Sequence, residues 1–418
     1  MKTKLLIASF FLLIFCQNTY SQWVQLTSGT AANLTGISCL NADTCFTSGS
    51  SGNIRKTFNA GAAWSVSGSG STFANLASIR MFDKNSIWIG LSQKFHHTSN
   101  GGTAWAAVVP SPATSHTVYD FAFLTATTYL AVGGNPASTT SGGYLVATST
   151  NAGSTWASVN VSGQPAMFGV QCLNGTDCIA VGGALTIFKS TDGGAAWVKK
   201  DSSTTATEVF YDVHFPTPVV GYAVGGSPTT PATGAVMKRT LDGGNTWSPV
   251  TLPFVNTLYG VHFVNADSGF VVGNGGIIRI TSDGGSSWAT QTSPVATDLN
   301  KIQMLDATTG YIAGASGVIL KTTNAGGGYP VGINEPVSVQ SLFTINGNPS
   351  HDELKIETKF QMQNAALTVF NALGQEQMIR KNISGNSISV TISGLLNGIY
   401  FFRVKDQNRN VSGKFIVE

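Results

Sequence analysis

The chain has 418 residues, enough for more than one domain; only 10% are charged, and glycine accounts for 48. That composition belongs to a turn-rich, all-β extracellular protein and excludes a helical enzyme or a disordered chain. The formal charge of +3 includes Lys2 and Lys4 at the extreme N-terminus; residues 23–335 carry 13 Lys+Arg against 14 Asp+Glu, with no basic run or patch to hold nucleic acid.

In chain order, MKTKLLIASFFLLIFCQNTYSQ comes first. Two lysines, a short apolar run and a polar region read as a secretory signal peptide over 1–21, with small residues at Thr19 and Ser21 placing cleavage near Ser21. Phe15 is too bulky for a lipoprotein signal ending at Cys16, and no other stretch is long and apolar enough to cross a bilayer.

An octet then recurs at 57–64 (TFNAGAAW), 98–105, 149–156, 190–197 (STDGGAAW), 240–247, 281–288 and 322–329 (TTNAGGGY). The starts are 41, 51, 41, 50, 41 and 41 residues apart. A period near 40 with strand-like flanks predicts the blades of a β-propeller over 22–329. In the sixth repeat LYGVHFVN reads as innermost strand A, GFVVG as B, GIIRITS as C and SWATQT as D, so the octet is the C–D turn. Its third residue (Asn59, Asn100, Asn151, Asp192, Asp242, Asp283, Asn324) is expected to accept turn N–H groups, and its glycine to supply positive φ. A carboxylate replaced by amide in four of seven repeats is structural rather than catalytic, and one carboxylate per turn is too few for calcium. Trp64, Trp105, Trp156, Trp197, Trp247 and Trp288 close six octets and are expected to bury within their blades. The seventh octet ends in Tyr329 without a following strand; Trp23 and WVQLTS supply it, closing the ring and removing a free edge. Trp88 stands outside the scheme.

CLNADTC and CLNGTDC fall at matching A–B turns, so Cys39–Cys45 and Cys172–Cys178 are read as disulfides rather than zinc ligands. Aligned strand A places Ser38, Arg80, Ala122, Gln171, His214, His262 and Gln303 at one mostly polar position between apolar neighbours. Arg80, Gln171, His214, His262 and Gln303 are therefore candidate channel-lining binding residues; solvated lining is the alternative. The two longer repeats insert at 133–143 and 225–234, on the face opposite the octets. His96 and His97, adjacent in a strand, face opposite ways and do not share a metal. No cofactor or metal is expected.

After PVGINEPVSVQ, a linker at 330–341, glycine thins and short alternating strands over 342–418 predict a small β-sandwich. NPS at 348–350, then ELKIE, FNALGQE, LLNGIYFFRV and a terminal KFIVE resemble the type A sorting domain of the type IX secretion system of Bacteroidetes. That resemblance implies export through the type IX machinery, removal of this domain, and release or attachment at the cell surface. The octets resemble the Asp-box, or bacterial neuraminidase repeat, of sialidases. The seven repeats with AVGG and STDGG.W motifs and strand closure resemble the seven-bladed family named for photosystem II assembly factors, whose namesake role does not transfer to a sequence with nothing photosynthetic in it.

A sialidase-like site implies three clamping arginines and a Tyr–Glu nucleophile pair. Of the four propeller arginines, Arg55, Arg239 and Arg279 fall in strand C toward the rim, and the glutamates of 23–335 are Glu208 and Glu335. Only Asp120, Asp212 and Glu208 are placed as inner carboxylates for a glycosidase. The expected function is a secreted or surface-attached, monomeric, non-catalytic module for a protein or glycan ligand; the alternative is a surface glycan hydrolase with a non-standard site.

Overall fold

Valine, isoleucine and phenylalanine alternate with polar residues between Gly/Asn/Asp turns, and such segments bury one face of a strand while the turns reverse the chain. The computed structural model describes residues 23–68, 75–112, 114–135, 143–203, 207–327, 343–346, 352–371, 376–406 and 410–417. The expected signal peptide, the expected linker, Tyr329 and most of the 133–143 insertion lie outside them. The chain divides into two compact units, Met1–Pro330 and Val331–Glu418. Among the described residues no helix is long and apolar enough to cross a membrane.

The first unit holds seven antiparallel four-stranded sheets, the blades of a propeller. The innermost strands are Leu34–Cys39, Leu76–Met81, Thr117–Phe123, Met167–Cys172, Val209–His214, Leu258–Phe263 and Leu299–Met304. Ring closure is as read: Val24–Leu26 pairs antiparallel with Ile319–Thr322 of blade 7. The outer strands are shorter than the sequence implies, Ala289–Thr290 alone in blade 6. Both disulfides, Cys39–Cys45 and Cys172–Cys178, join facing residues of strands A and B.

Each octet is a self-capped turn. Its third side chain accepts a backbone N–H from four residues on in six blades, as in Ala63 to Asn59 Oδ1 (3.0 Å) and Thr246 to Asp242 Oδ1 (2.9 Å). Only Oδ1 is required of it, so Asp and Asn interchange. The first residue, always Ser or Thr, donates to that Oδ1 and accepts the N–H of the second glycine position, for example Gly244 to Thr240 Oγ1 at 3.0 Å. This hydroxyl role was not read from the sequence. Hydrogen bonds hold the carboxyl of Asp192 below its ordinary range and that of Asp242 at about 2.

The octet tryptophans pack on their own blades, as expected from sequence, and also reach the blade before; Trp64 and Trp156 are buried, while Trp105, Trp197, Trp247 and Trp288 are half-buried. Trp64 of blade 1 shares a core with Tyr311, Ala313 and Ile319 of blade 7, and Trp23 meets Phe270 of blade 6 edge-on at 6.2 Å. In blades 6 and 7 the turn glycines Gly285 and Gly326 meet outer-strand residues; in blades 1–5 the turn glycine seats instead on a strand B side chain of the preceding blade, as Gly244 on Ile179, Gly194 on Leu130 and Gly153 on Trp88. That gives Trp88 its place, fully buried against Trp156, the octet tryptophan of blade 3. A turn must approach its neighbour this closely because the blades share no hydrogen-bonded edge.

The second unit has strands Phe343–Asn346, Glu353–Asn371, Glu376–Thr391, Gly398–Lys405 and Asn410–Val417. Register shifts divide the 19-residue second strand into two arms. Leu354 and Ile356 of one arm and Leu367 and Val369 of the other belong to a single core with Phe402 and Phe415, the interior of a small sandwich.

Gly153→Ala tests the blade contact. Gly153 has φ +82°, and a Cβ there would land on the Trp88 ring, whereas Gly163 at φ +69° has open space around it. The Gly153 change is expected to cost about 2–4 kcal/mol and Gly163→Ala about 1 kcal/mol, read from urea midpoints. Equal losses would show that φ alone is responsible and that the inter-blade contact contributes nothing.

Candidate functional site: the axial channel

Seven innermost strands converge on the axis, and each carries a bulge near its start, where one residue has no partner on strand B. The unpaired residues are Thr35, Ala77, Tyr119, Phe168, Tyr211, Tyr259 and Asn300. Bulges re-aim side chains and increase local twist. Here they set three successive tiers of side chains along the channel.

The tier nearest the octet face is the one aligned from sequence. Its polar groups clamp each blade to the next. Gln171 donates from Nε2 to Phe215 O (3.0 Å) and accepts from Phe215 N (2.8 Å). Gln303 does the same to Cys39 across the ring closure, at 2.9 and 2.8 Å. Ser38 Oγ accepts from Met81 N, and His214 Nδ1 accepts from Phe263 N at 3.2 Å. Arg80 donates from Nε to Phe121 O. The tier thus lines the channel, with most of its hydrogen-bonding capacity spent between blades. Ala122 has none to offer, and His262 lies against His214 with ring centroids 4.1 Å apart and planes tilted by 34°.

The middle tier is Gly36, Ser78, Asp120, Gly169, Asp212, Gly260 and Lys301. Asp120 accepts from Phe121 N, from Val170 N of the next blade and from Arg80 Nη2 at 3.0 Å. Asp212 accepts from Val213 N, from Val261 N of the next blade and from Lys301 Nζ at 2.6 Å. Lys301 reaches from blade 7 to blade 5 past Gly260, where a Cβ would stand 3.2 Å from the Lys301 Cα. Both carboxylates are buried, with side chains 8% and 5% exposed. Glu208, placed with them from sequence, is not in the channel: it precedes strand A of blade 5, its carbonyl accepting from Leu185 N.

Between the first two tiers lies a 280 Å³ cavity lined by Arg80, Gln171, Asp212, His214, His262 and Gln303 among others. A 340 Å³ depression over the A–B turns of blades 5–7 shares His214 and His262 with it. Burial holds His214 far below the ordinary imidazole range, helped by His262 and the cations Lys301 and Arg80. Burial and the same two cations lower His262 to about 3. Both imidazoles are neutral at pH 7. Since His214 Nδ1 accepts, its proton sits on Nε2.

The third tier, on the insertion face, is aromatic across four consecutive blades. Tyr119 and Phe168 are 4.9 Å apart, Phe168 and Tyr211 6.0 Å, Tyr211 and Tyr259 5.2 Å. All four are half-buried. Burial raises Tyr211 and Tyr259 to about 12, so both hydroxyls stay protonated. Sequence reasoning missed this arc, although aligning the residue three before each channel position displays it. His97 stacks on Trp88 at 4.1 Å and bonds Ser86, while its neighbour His96 is buried. Arg55, Arg239 and Arg279 lie in strand C. Among the described residues no three His, Cys, Asp or Glu side chains group to hold a metal.

Fold and site define a seven-bladed β-propeller with a polar cup and an aromatic arc at opposite ends of a pinched axial channel. Residues 240–401, fewer than half of the chain, match a family described as photosynthesis system II assembly factor YCF48. Among solved structures, YCF48 bound to D1 peptide is similar with TM-score 0.57 at 16% identity, over 73% of this chain and 98% of that one. YCF48 from Cyanidioschyzon merolae gives TM-score 0.54 at 16% identity, over 72% and 98%. The WD40 β-propeller domain of Doa1 gives 0.55 at 10% identity, over 72% and 95%. At these identities the likeness is one of fold. A comparison with curated proteins finds no match.

The histidine pair makes stability pH-dependent. A folded pKa below the unfolded value of about 6.5 means the unfolded chain takes up protons first, so stability is full above that pH and falls as pH drops toward the folded values. His262→Gln is expected to flatten the fall in urea-unfolding free energy between pH 6.5 and 4.5 by nearly one proton, about 1.4 kcal/mol per pH unit. An unchanged slope would mean that His262 titrates normally in the folded protein.

Proposed function

We propose that this chain is a recognition propeller that binds a protein partner at its axial channel without performing chemistry on it, outside the cell that makes it. The observation that carries this reading is the state of Asp120 and Asp212. Each channel carboxylate is consumed by two backbone N–H groups and a cation, which fixes it as an inter-blade clamp. A glycosidase needs two carboxyl groups free to face one bond, one to donate a proton and one to attack or activate water. The fold supports the same reading, since a YCF48 structure of this architecture is described as bound to D1 peptide. The Asp-box character of the octets is then a turn device with no part in binding.

Export belongs to the same proposal. The N-terminal apolar run and the two disulfides suit an oxidising compartment. The order of motifs over 342–418 supports passage through the type IX machinery, followed by removal of this unit and release or surface attachment.

A random-peptide selection on the purified chain, run beside a product assay on sialosides and plant glycans, tests the function. Enrichment of one peptide family with no released sugar is the expected result. Sugar released by the wild-type chain would establish the hydrolase instead. Export is tested by fusing residues 342–418 and a signal peptide to a reporter in a bacterium with type IX secretion; retention in the periplasm would refute it.

A further inference from the structure

We propose that the polar cup is a site for a small oxyanion, the carboxylate or phosphate group of a ligand that enters from the octet face. This rests on the recognition reading for a ligand at the channel and adds its chemistry. The cup is the 280 Å³ cavity, and Arg80, Lys301, His214 and His262 line it from four blades. The 340 Å³ depression over the A–B turns shares both histidines with it, which makes the depression its mouth. The carboxylate at that mouth, Asp306, is bound into its own turn, accepting from Thr308 N and Thr309 N at 2.7 Å each. Lys301 and Arg80 both act on both imidazoles, which places the four groups around one space.

The free groups of the cup are donors. Arg80 spends Nε on Phe121 O and Nη2 on Asp120, leaving Nη1. Lys301 Nζ gives one hydrogen to Asp212 and keeps two. His214 Nδ1 accepts from Phe263 N, so its Nε2–H is left to donate. His262 touches His214 and makes no hydrogen bond with a described residue. The acceptors, by contrast, are spent. Gln171 Oε1 and Gln303 Oε1 each take a backbone N–H, and Asp212 takes two and a cation. A ligand here must therefore bring acceptors, and a charged one gains charge-assisted bonds from the guanidinium and the ammonium. The two ion pairs cancel in net charge, so directed donors rather than a bulk field hold the ligand. A cation finds no free carboxylate. A sugar hydroxyl, which donates as well as accepts, finds no side-chain acceptor beyond one imidazole nitrogen. Apolar walls at Val170, Val261 and Ile302 suit a short carbon chain behind a carboxylate.

The test is calorimetric titration of the full chain, in low-chloride buffer, with inorganic phosphate, with propionate and with neutral propionamide. One or both anions are expected to bind with a Kd of about 1 mM or tighter, and propionamide not. Phosphate alone would assign the site to a phosphate group, propionate alone to a carboxylate. Arg80→Gln should weaken binding about 10-fold. His262→Phe, which keeps a ring against His214 and breaks no hydrogen bond of the fold, should weaken it about 3-fold. Arg55→Gln, in strand C, should leave it unchanged. No anion binding at about 1 mM, equal binding of propionamide, or binding unchanged in both cup variants overturns the proposal. Failure of the anions while a peptide family is still enriched would sink the cup and leave the protein-binding reading standing; anion binding with no enriched peptide would do the reverse.

Discussion

The structure depends on the seating of each C–D turn against the blade before it, on strand B in blades 1–5. The blades share no sheet edge, so this contact, repeated around the ring, does the work that hydrogen-bonded edges do inside a sheet. It constrains the octet at four positions. The first hydroxyl and the third Oδ1 close the turn. The glycine adopts positive φ and lets the backbone touch a neighbouring ring or aliphatic group. The tryptophan fills the seam. Because the ring must also meet itself, Trp23 is supplied from the other end of the chain, and its indole donates to Gln291 Oε1 at 2.7 Å.

Near the axis a second set of links takes over. Strands too close for a further sheet are joined by side chains that bond the backbone of the next blade: glutamine, serine and histidine in one tier, aspartate in another. Buried aspartates are tolerable there because each gains backbone N–H groups and a cation, and desolvation then costs less than a broken clamp would. The same economy explains the charge-poor composition, since few positions need an ion. It also separates the channel's two ends, one polar and one aromatic, with the ion pairs as the pinch between them.

Much of this was legible beforehand. The period of the octets, the count of tryptophans and the leading WVQLTS reveal blade number and closure, because repetition leaves a mark that one chain displays by itself. Strand A was aligned correctly at Gln171, His214 and Gln303. What those side chains do was not legible: Gln303 bonds Cys39, a residue 264 positions earlier, and no local pattern encodes that separation. Glu208 looked equivalent to Asp212, four residues on. Only the start of strand A, with its bulge at Tyr211, shows that one lies outside the channel and the other inside it.

Sequence by itself determined the all-β class, the seven repeats, the disulfide pairs and the change of composition before the second unit, because local propensity, period and cysteine spacing are properties of neighbouring residues. Tertiary structure decided that tryptophans join their own blade to the one before. It decided that the channel carboxylates are clamps, and that four aromatic residues at separate points in the chain stand in one arc. Those outcomes arise where different blades meet, and proximity between blades is set by closure of the ring.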